Sequence, residues 1–167
     1  MGPTAHRAHD TRAVGCAVVT VSDTRTAATD TSGARIRALL EAAGHHVVAH
    51  DILPDEPGRI RSHVEALLGR PEVEAVIVNG GTGLAPRDTT YEAITALLEK
   101  RLDGFGELFR MLSFQEIGPA AMLSRASAGV VRSKIVASLP GSTAGVELAM
   151  TRLLVPELAH MVRLVRG

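Results

Sequence analysis

The chain's densest run of chemistry-bearing residues is Gly80-Gly81-Thr82-Gly83, followed closely by Arg87-Asp88. Glycines carry no Cβ, so their backbone N–H groups can turn toward an anion and let it approach closely. Thr82 adds a hydroxyl inside the loop. Asp88 is a hard oxygen ligand of the kind magnesium accepts, and Asp55, in another loop, is a second. Amides for phosphate oxygens, with one or two carboxylates for magnesium, are the common equipment of phosphoryl and nucleotidyl transfer. Either aspartate serves equally well to close a turn. The run is not a P-loop, since no lysine follows Gly83, and it lacks the G-x-G-x-x-G spacing of dinucleotide sites.

A second candidate is Leu139-Pro140-Gly141-Ser142. Ser142 can cap the helix that follows, leaving amides free for a ligand, or it is an ordinary cap and nothing more. Ser22-Asp23 and Ser124-Arg125 complete the set. Arg125 suits a phosphate or a surface carboxylate.

These residues need elements to hold them. Ala75-Val76-Ile77-Val78 and the stretch Ala13 to Val21 are apolar and β-branched, which predicts strands buried on both faces. Asp30 or Thr31 can cap a helix with Ile36, Leu39, Leu40 and Ala43 on one face and Gly44 as its stop. His46 to Asp51 alternates as a strand, and a helix follows from about Gly58 to Leu68. A helix over Tyr91 to Lys100 is expected after the glycine loop, then a Phe-rich helix over Gly104 to Gly118. Gly129 to Val131 and Lys134 to Ala137 read as a hairpin or two edge strands. Helices from about Thr143 to Leu153 and from Pro156 close the chain. Strands alternating with helices predict a three-layer α/β/α fold around a mostly parallel, doubly wound sheet. The strand carboxyl ends bearing Ser22-Asp23, Asp55 and Gly80 to Asp88 then converge on one edge, where open sheets bind ligands.

Composition narrows the function. The chain has 167 residues, with 18 basic and 18 acidic side chains, so no net charge is available to hold a nucleic acid. Aromatic residues are 2% of the chain, too few for base-stacking platforms. The one cysteine, Cys16, excludes an intrachain disulfide and reads as an inert core residue. No apolar run approaches the ~18 residues of a membrane span. The expected organisation is a disordered leader over residues 1–12 and one domain over residues 13–167, cytoplasmic in location. His6, His9, His45, His46 and His50 lack the spacing of a zinc site and read as surface or loop residues.

Three segments resemble, in order, the MogA/MoaB family of molybdopterin-binding proteins: GGTGLAPRDTTYEAI, FRMLSFQEIGPAAMLSRASAGVV and SLPGST. The likeness runs from about Val14 to the C-terminus. The resemblance implies the family's three-layer fold, a homotrimer or homohexamer, and a place in molybdenum cofactor biosynthesis. For the MogA-like branch it implies adenylation of molybdopterin by magnesium ATP with release of pyrophosphate, ahead of molybdate insertion with a possible partner protein. Carried over by position, Gly80, Gly81, Thr82, Gly83 and Asp88 match the phosphate loop, and Asp55 matches a catalytic acidic residue. Ser124 lies in the AMLSR segment, and Pro140, Gly141 and Ser142 match the pterin-side loop. Ser22 and Asp23 join them as candidate nucleotide contacts, with magnesium expected on Asp88 and Asp55. Thr143 stands where the MogA-like branch usually has proline, so the chain looks closer to the MoaB-like branch. Some members of that branch are adenylyltransferases, and others bind pterin without a settled activity. The alternative to catalysis is therefore a pterin-binding protein of the same pathway. Gly104 to Phe114 is the stretch expected at an interface between copies, though an amphipathic helix serves an internal core equally well.

Overall fold

The computed structural model describes residues 11–167. Its centre is two strands, β1 (Gly15–Val21) and β3 (Ala75–Asn79), buried along their whole length. They lie inside a six-stranded sheet ordered β2 (His46–Leu53), β1, β3, β6 (Lys134–Leu139), β5 (Ser127–Val131), β4 (Lys100–Arg101). The four strands β2, β1, β3 and β6 run parallel, whereas β5 and β4 are added by antiparallel pairing.

The helices are α1 (Thr31–Ala42), α2 (Pro57–Leu68), α3 (Thr90–Thr95), α4 (Asp103–Ile117), α5 (Thr143–Ala149) and α6 (Val155–Arg166). One face of the sheet packs Cys16, Val18 and Ile77 against Ile36 and Leu40 of α1, Phe109 of α4 and Leu158 of α6. The other packs Val19, Val76 and Val136 against Ile60 and Val64 of α2 and Ile94 of α3. This is the three-layer α/β/α arrangement that the alternation of elements predicts, with a mostly parallel sheet. Burial among these side chains pushes the Cys16 thiol up to about 12, so it stays protonated and unreactive at neutral pH. No helix among the described residues is long and apolar enough to cross a membrane.

Two local readings need correction, and one open alternative is decided. The helix expected over Tyr91 to Lys100 stops at Thr95. Glu99 N–H donates to Val130 O (2.9 Å) and Leu102 N–H to Ala128 O (2.8 Å), drawing Lys100–Arg101 into the sheet as β4. The hairpin alternative holds for β5 and β6, and β6 is interior, seated between β3 and β5. Arg132 and Ser133 take φ values of 49° and 58°, as a two-residue hairpin turn of matching twist requires. Finally, α5 and α6 are one continuous helical run joined by a π turn at Met150–Leu154. Pro156 has no N–H to give to the α ladder, and the wider turn just before it accommodates that loss.

Of the expected leader, residues 1–10 lie outside the described residues, and Arg12 is tied down. It pairs with Glu74, which also accepts from Gly15 N–H (3.0 Å) and from Arg166 (2.8 Å). Burial acts to raise the Glu74 pKa, but the Gly15 N–H and the two guanidiniums outweigh it and hold the carboxyl below 4.5. A depressed carboxyl stabilises the fold above its unfolded pKa, and that contribution is lost as pH falls through the lower folded value. Glu74→Gln is therefore expected to cost about 2 kcal/mol at pH 7 and to flatten the fall in melting temperature below about pH 4.5. Parallel melting curves for the two proteins across that range would remove Glu74 from the acid response.

Candidate active site

Backbone geometry shapes the glycine loop first. Gly80 and Gly81 have φ of 95° and 65°, a region that side chains with a Cβ rarely enter. Space forbids a side chain as well: a Cβ on Gly80 would sit 2.2 Å from Val21 O, and one on Gly81 2.4 Å from Asp55 Oδ2. The chain thus leaves β3, presses against the end of β1 and turns over Asp55. Thr90 N–H returns to Gly81 O (3.0 Å) and closes the loop at the start of α3.

The loops at the carboxyl edge are stitched together by the predicted acids. Asp23 accepts from Asp55 N–H (3.0 Å) at Oδ1 and from Arg87 (2.7 Å) at Oδ2. Hydrogen bonding from Arg87, together with the Asp55 N–H, holds the Asp23 carboxyl below its ordinary value. Asp55 is buried, and its Oδ1 accepts from Thr89 Oγ1 (2.6 Å) and Thr89 N–H (3.2 Å). Ser22 Oγ accepts from Arg25 N–H (3.0 Å) within its own turn. The expected convergence is present, but Ser22, Asp23 and Asp55 do not line the cavity beside the loop. Asp23 and the Oδ1 of Asp55 hold loops to one another, while Asp55 Oδ2 lies under Gly81 without a partner among the described residues, and Asp88 is the carboxylate among them on the cavity wall.

That cavity has a volume of about 460 Å³. Gly81, Thr82, Gly83 and Asp88 form one side, Pro140, Gly141 and Ser142 a second, and Ser124 closes a third. The two glycine turns touch: Gly80 N–H donates to Leu139 O (3.0 Å), and a Cβ on Gly141 would meet Gly80 Cα at 3.2 Å. Ser142 Oγ accepts from Gly145 N–H (3.1 Å) as the helix cap and keeps its own O–H to give. From behind, Ser32 Oγ donates to Gly141 O (2.7 Å), and Ser32 sits on α1, whose cap Asp30 accepts from Gly33 N–H (2.9 Å). Asp30 also accepts from Thr20 (2.7 Å) and pairs with His50 (3.0 Å), giving that histidine a structural partner.

Asp88 is half-buried, with Oδ2 accepting from Ala85 N–H (3.1 Å). Its Oδ1 has no partner among the described residues and lies beside the glycine loop. One free carboxylate oxygen next to a glycine turn fits magnesium, which takes most of its remaining ligands from phosphate and water. Ser124 Oγ is buried without a partner, the condition of a polar group that a ligand satisfies.

Sequence reasoning misses two features. Arg125 donates through Nε to Thr82 O (3.0 Å) and through Nη2 to Gly83 O (2.6 Å), and it pairs with Glu92. Its guanidinium carbon stands 4.9 Å from the centre of the Tyr91 ring. Arg125 thus grips the back of the loop, and Glu92 is a carboxylate partner of the kind expected for it. The second feature is α4, whose Phe109, Ser113, Glu116 and Ile117 form a cavity wall. The polar residues on that stripe were a legible signal, since a helix serving only a core has no use for Glu116 there.

A family model described as "Probable molybdopterin binding domain" matches residues 17–160. Molybdenum cofactor biosynthesis protein B of Halalkalibacterium halodurans is 54% identical over 159 residues, covering 95% of this chain and 94% of the relative. A crystal structure of a molybdenum cofactor biosynthesis protein B superposes with a TM-score of 0.91 at 47% identity, covering 93% of this chain and 97% of the other. The tungsten cofactor synthesizing protein of Pyrococcus furiosus does so at 0.81 and 34% identity, covering 93% and 99%.

Proposed function

The chain belongs to the molybdopterin-binding domain family, and from that premise we propose that it acts in molybdenum cofactor biosynthesis as a molybdopterin adenylyltransferase. One observation carries the reading: two glycine-bearing turns, Gly81 to Gly83 and Pro140 to Ser142, border one cavity with Asp88 on its wall. Such a border supports the binding of phosphate-bearing ligands.

Adenylyl transfer joins a molybdopterin phosphate oxygen to the α-phosphorus of ATP. The bond from that phosphorus to the bridging oxygen breaks, and pyrophosphate leaves with the electron pair. The attacking oxygen is already anionic, so no side chain has to remove a proton. The ionisable side chains on the cavity wall are Asp88 and Glu116, with no histidine, lysine or cysteine among its lining residues. Catalysis then rests on positioning and charge neutralisation. The glycine amides and the Thr82 and Ser142 hydroxyls orient phosphates, and Asp88 would hold magnesium. Magnesium, when bound, supplies positive charge to the phosphates.

The test is pyrophosphate release from molybdopterin, ATP and magnesium by the purified protein. Release that requires all three supports the transferase. Saturable molybdopterin binding without release would make the protein a pterin carrier instead. A trimer or hexamer belongs to the same proposal, and the outer side of α4 offers the surface, with Leu108, Met111 and Phe114 about half exposed or more. A monomer by sedimentation at micromolar concentration would end that part of it.

A further inference from the structure

The cavity is prepared for anions along its two glycine turns, yet one wall carries a bare carboxylate. Glu116 stands on α4 three residues after Ser113 and seven after Phe109, a spacing that shares one helical face. It is exposed, and no described residue donates to it or pairs with it. A negative group in a pocket for polyanionic ligands opposes their binding unless it meets a donor on the ligand.

Resting on the reading of this cavity as the molybdopterin site, we infer that Glu116 recognises the 2-amino-4-oxopyrimidine edge of the pterin. That edge presents N3–H and the 2-amino group as adjacent donors. A carboxylate accepts both in parallel, in the manner of its fork with a guanidinium. Adenine, the other ring in the proposed reaction, sets its amino group beside the N1 lone pair, so a carboxylate would gain one hydrogen bond and face one repulsion. The charge that is a liability toward the phosphates becomes the element that orients the ring. Glu116 is thus a specificity-determining residue, placed on a rigid helix and not on a loop.

The experiment uses two probes, 6-hydroxymethylpterin phosphate and its lumazine analogue, in which the 2-amino group is replaced by oxygen. Both are titrated by fluorescence against the full chain. Wild type is expected to prefer the pterin by about tenfold or more, the worth of a charge-assisted hydrogen bond. Glu116→Gln presents one acceptor beside one donor, which matches the lumazine edge, so the preference is expected to invert. Melting temperature should stay as in wild type, because Glu116 is exposed and no described residue pairs with it. A merely structural role cannot invert a preference between two ligands of one shape. Wild type binding both probes equally, or a variant that keeps the pterin preference, overturns the role of Glu116 and leaves adenylyl transfer standing. Wild type binding neither probe overturns Glu116 together with the pterin reading, and the pyrophosphate assay then decides the transferase independently.

Discussion

Asp88→Ala is expected to lose about hundredfold or more in pyrophosphate release while keeping the fold. The structural cost is one hydrogen bond, from Ala85 N–H to Oδ2, worth about 1 kcal/mol or about 2–4 °C in melting temperature for a chain of this size. The catalytic cost is larger, because Asp88 is the aspartate that lines the cavity beside the glycine loop. Asp88→Asn separates the two. Its amide oxygen can still accept from Ala85 N–H, so melting should recover toward wild type, yet the charge that would hold magnesium is gone. Recovery of the fold without recovery of release, and a raised magnesium requirement in any residual activity, is the expected pattern. Near-wild-type turnover by Asp88→Ala would take the residue out of the reaction.

The same loop shows how far local sequence carries. Buried strands with no polar face announce themselves, so β1 and β3 and the glycine turn between β3 and α3 are readable from residue types. Convergence at the sheet's carboxyl edge follows from the order of elements. What cannot be read is direction. Asp55 and Asp88 are both loop aspartates, but Asp55 gives one oxygen to Thr89 and sets the other beneath Gly81 while Asp88 lines the cavity, and only the packing of three loops separates them. The end of α3 is illegible for a related reason. Tyr91 to Lys100 is locally helical, and pairing with β5, about thirty residues downstream, takes Lys100 and Arg101 away from it. Glu116 sits between these cases: its helix is plain, and its purpose needs the facing wall.

Arg125 yields the second large effect. A trans peptide points its carbonyl and the following N–H in opposite directions. With Thr82 O and Gly83 O held by the guanidinium, the N–H groups of Gly83 and Leu84 are therefore turned to the other side of the loop. Arg125 would shape the proposed anion site from the back of the loop. Arg125→Met should relax the loop, raise the KM for ATP and lower kcat/KM by about hundredfold, roughly the worth of two hydrogen bonds to a charged group. Arg125→Lys is the informative companion. Were the residue a direct phosphate ligand, lysine would keep the charge and much of the affinity. As a fork across two carbonyls it cannot be replaced by a single ammonium, so Lys should fall near Met. Glu92→Gln removes the carboxylate that pairs with Nη1 and should loosen the same grip by a smaller step. Wild-type KM for ATP in Arg125→Lys would show that the loop holds its shape without the clamp, and the glycines' own backbone preference would then have to account for it.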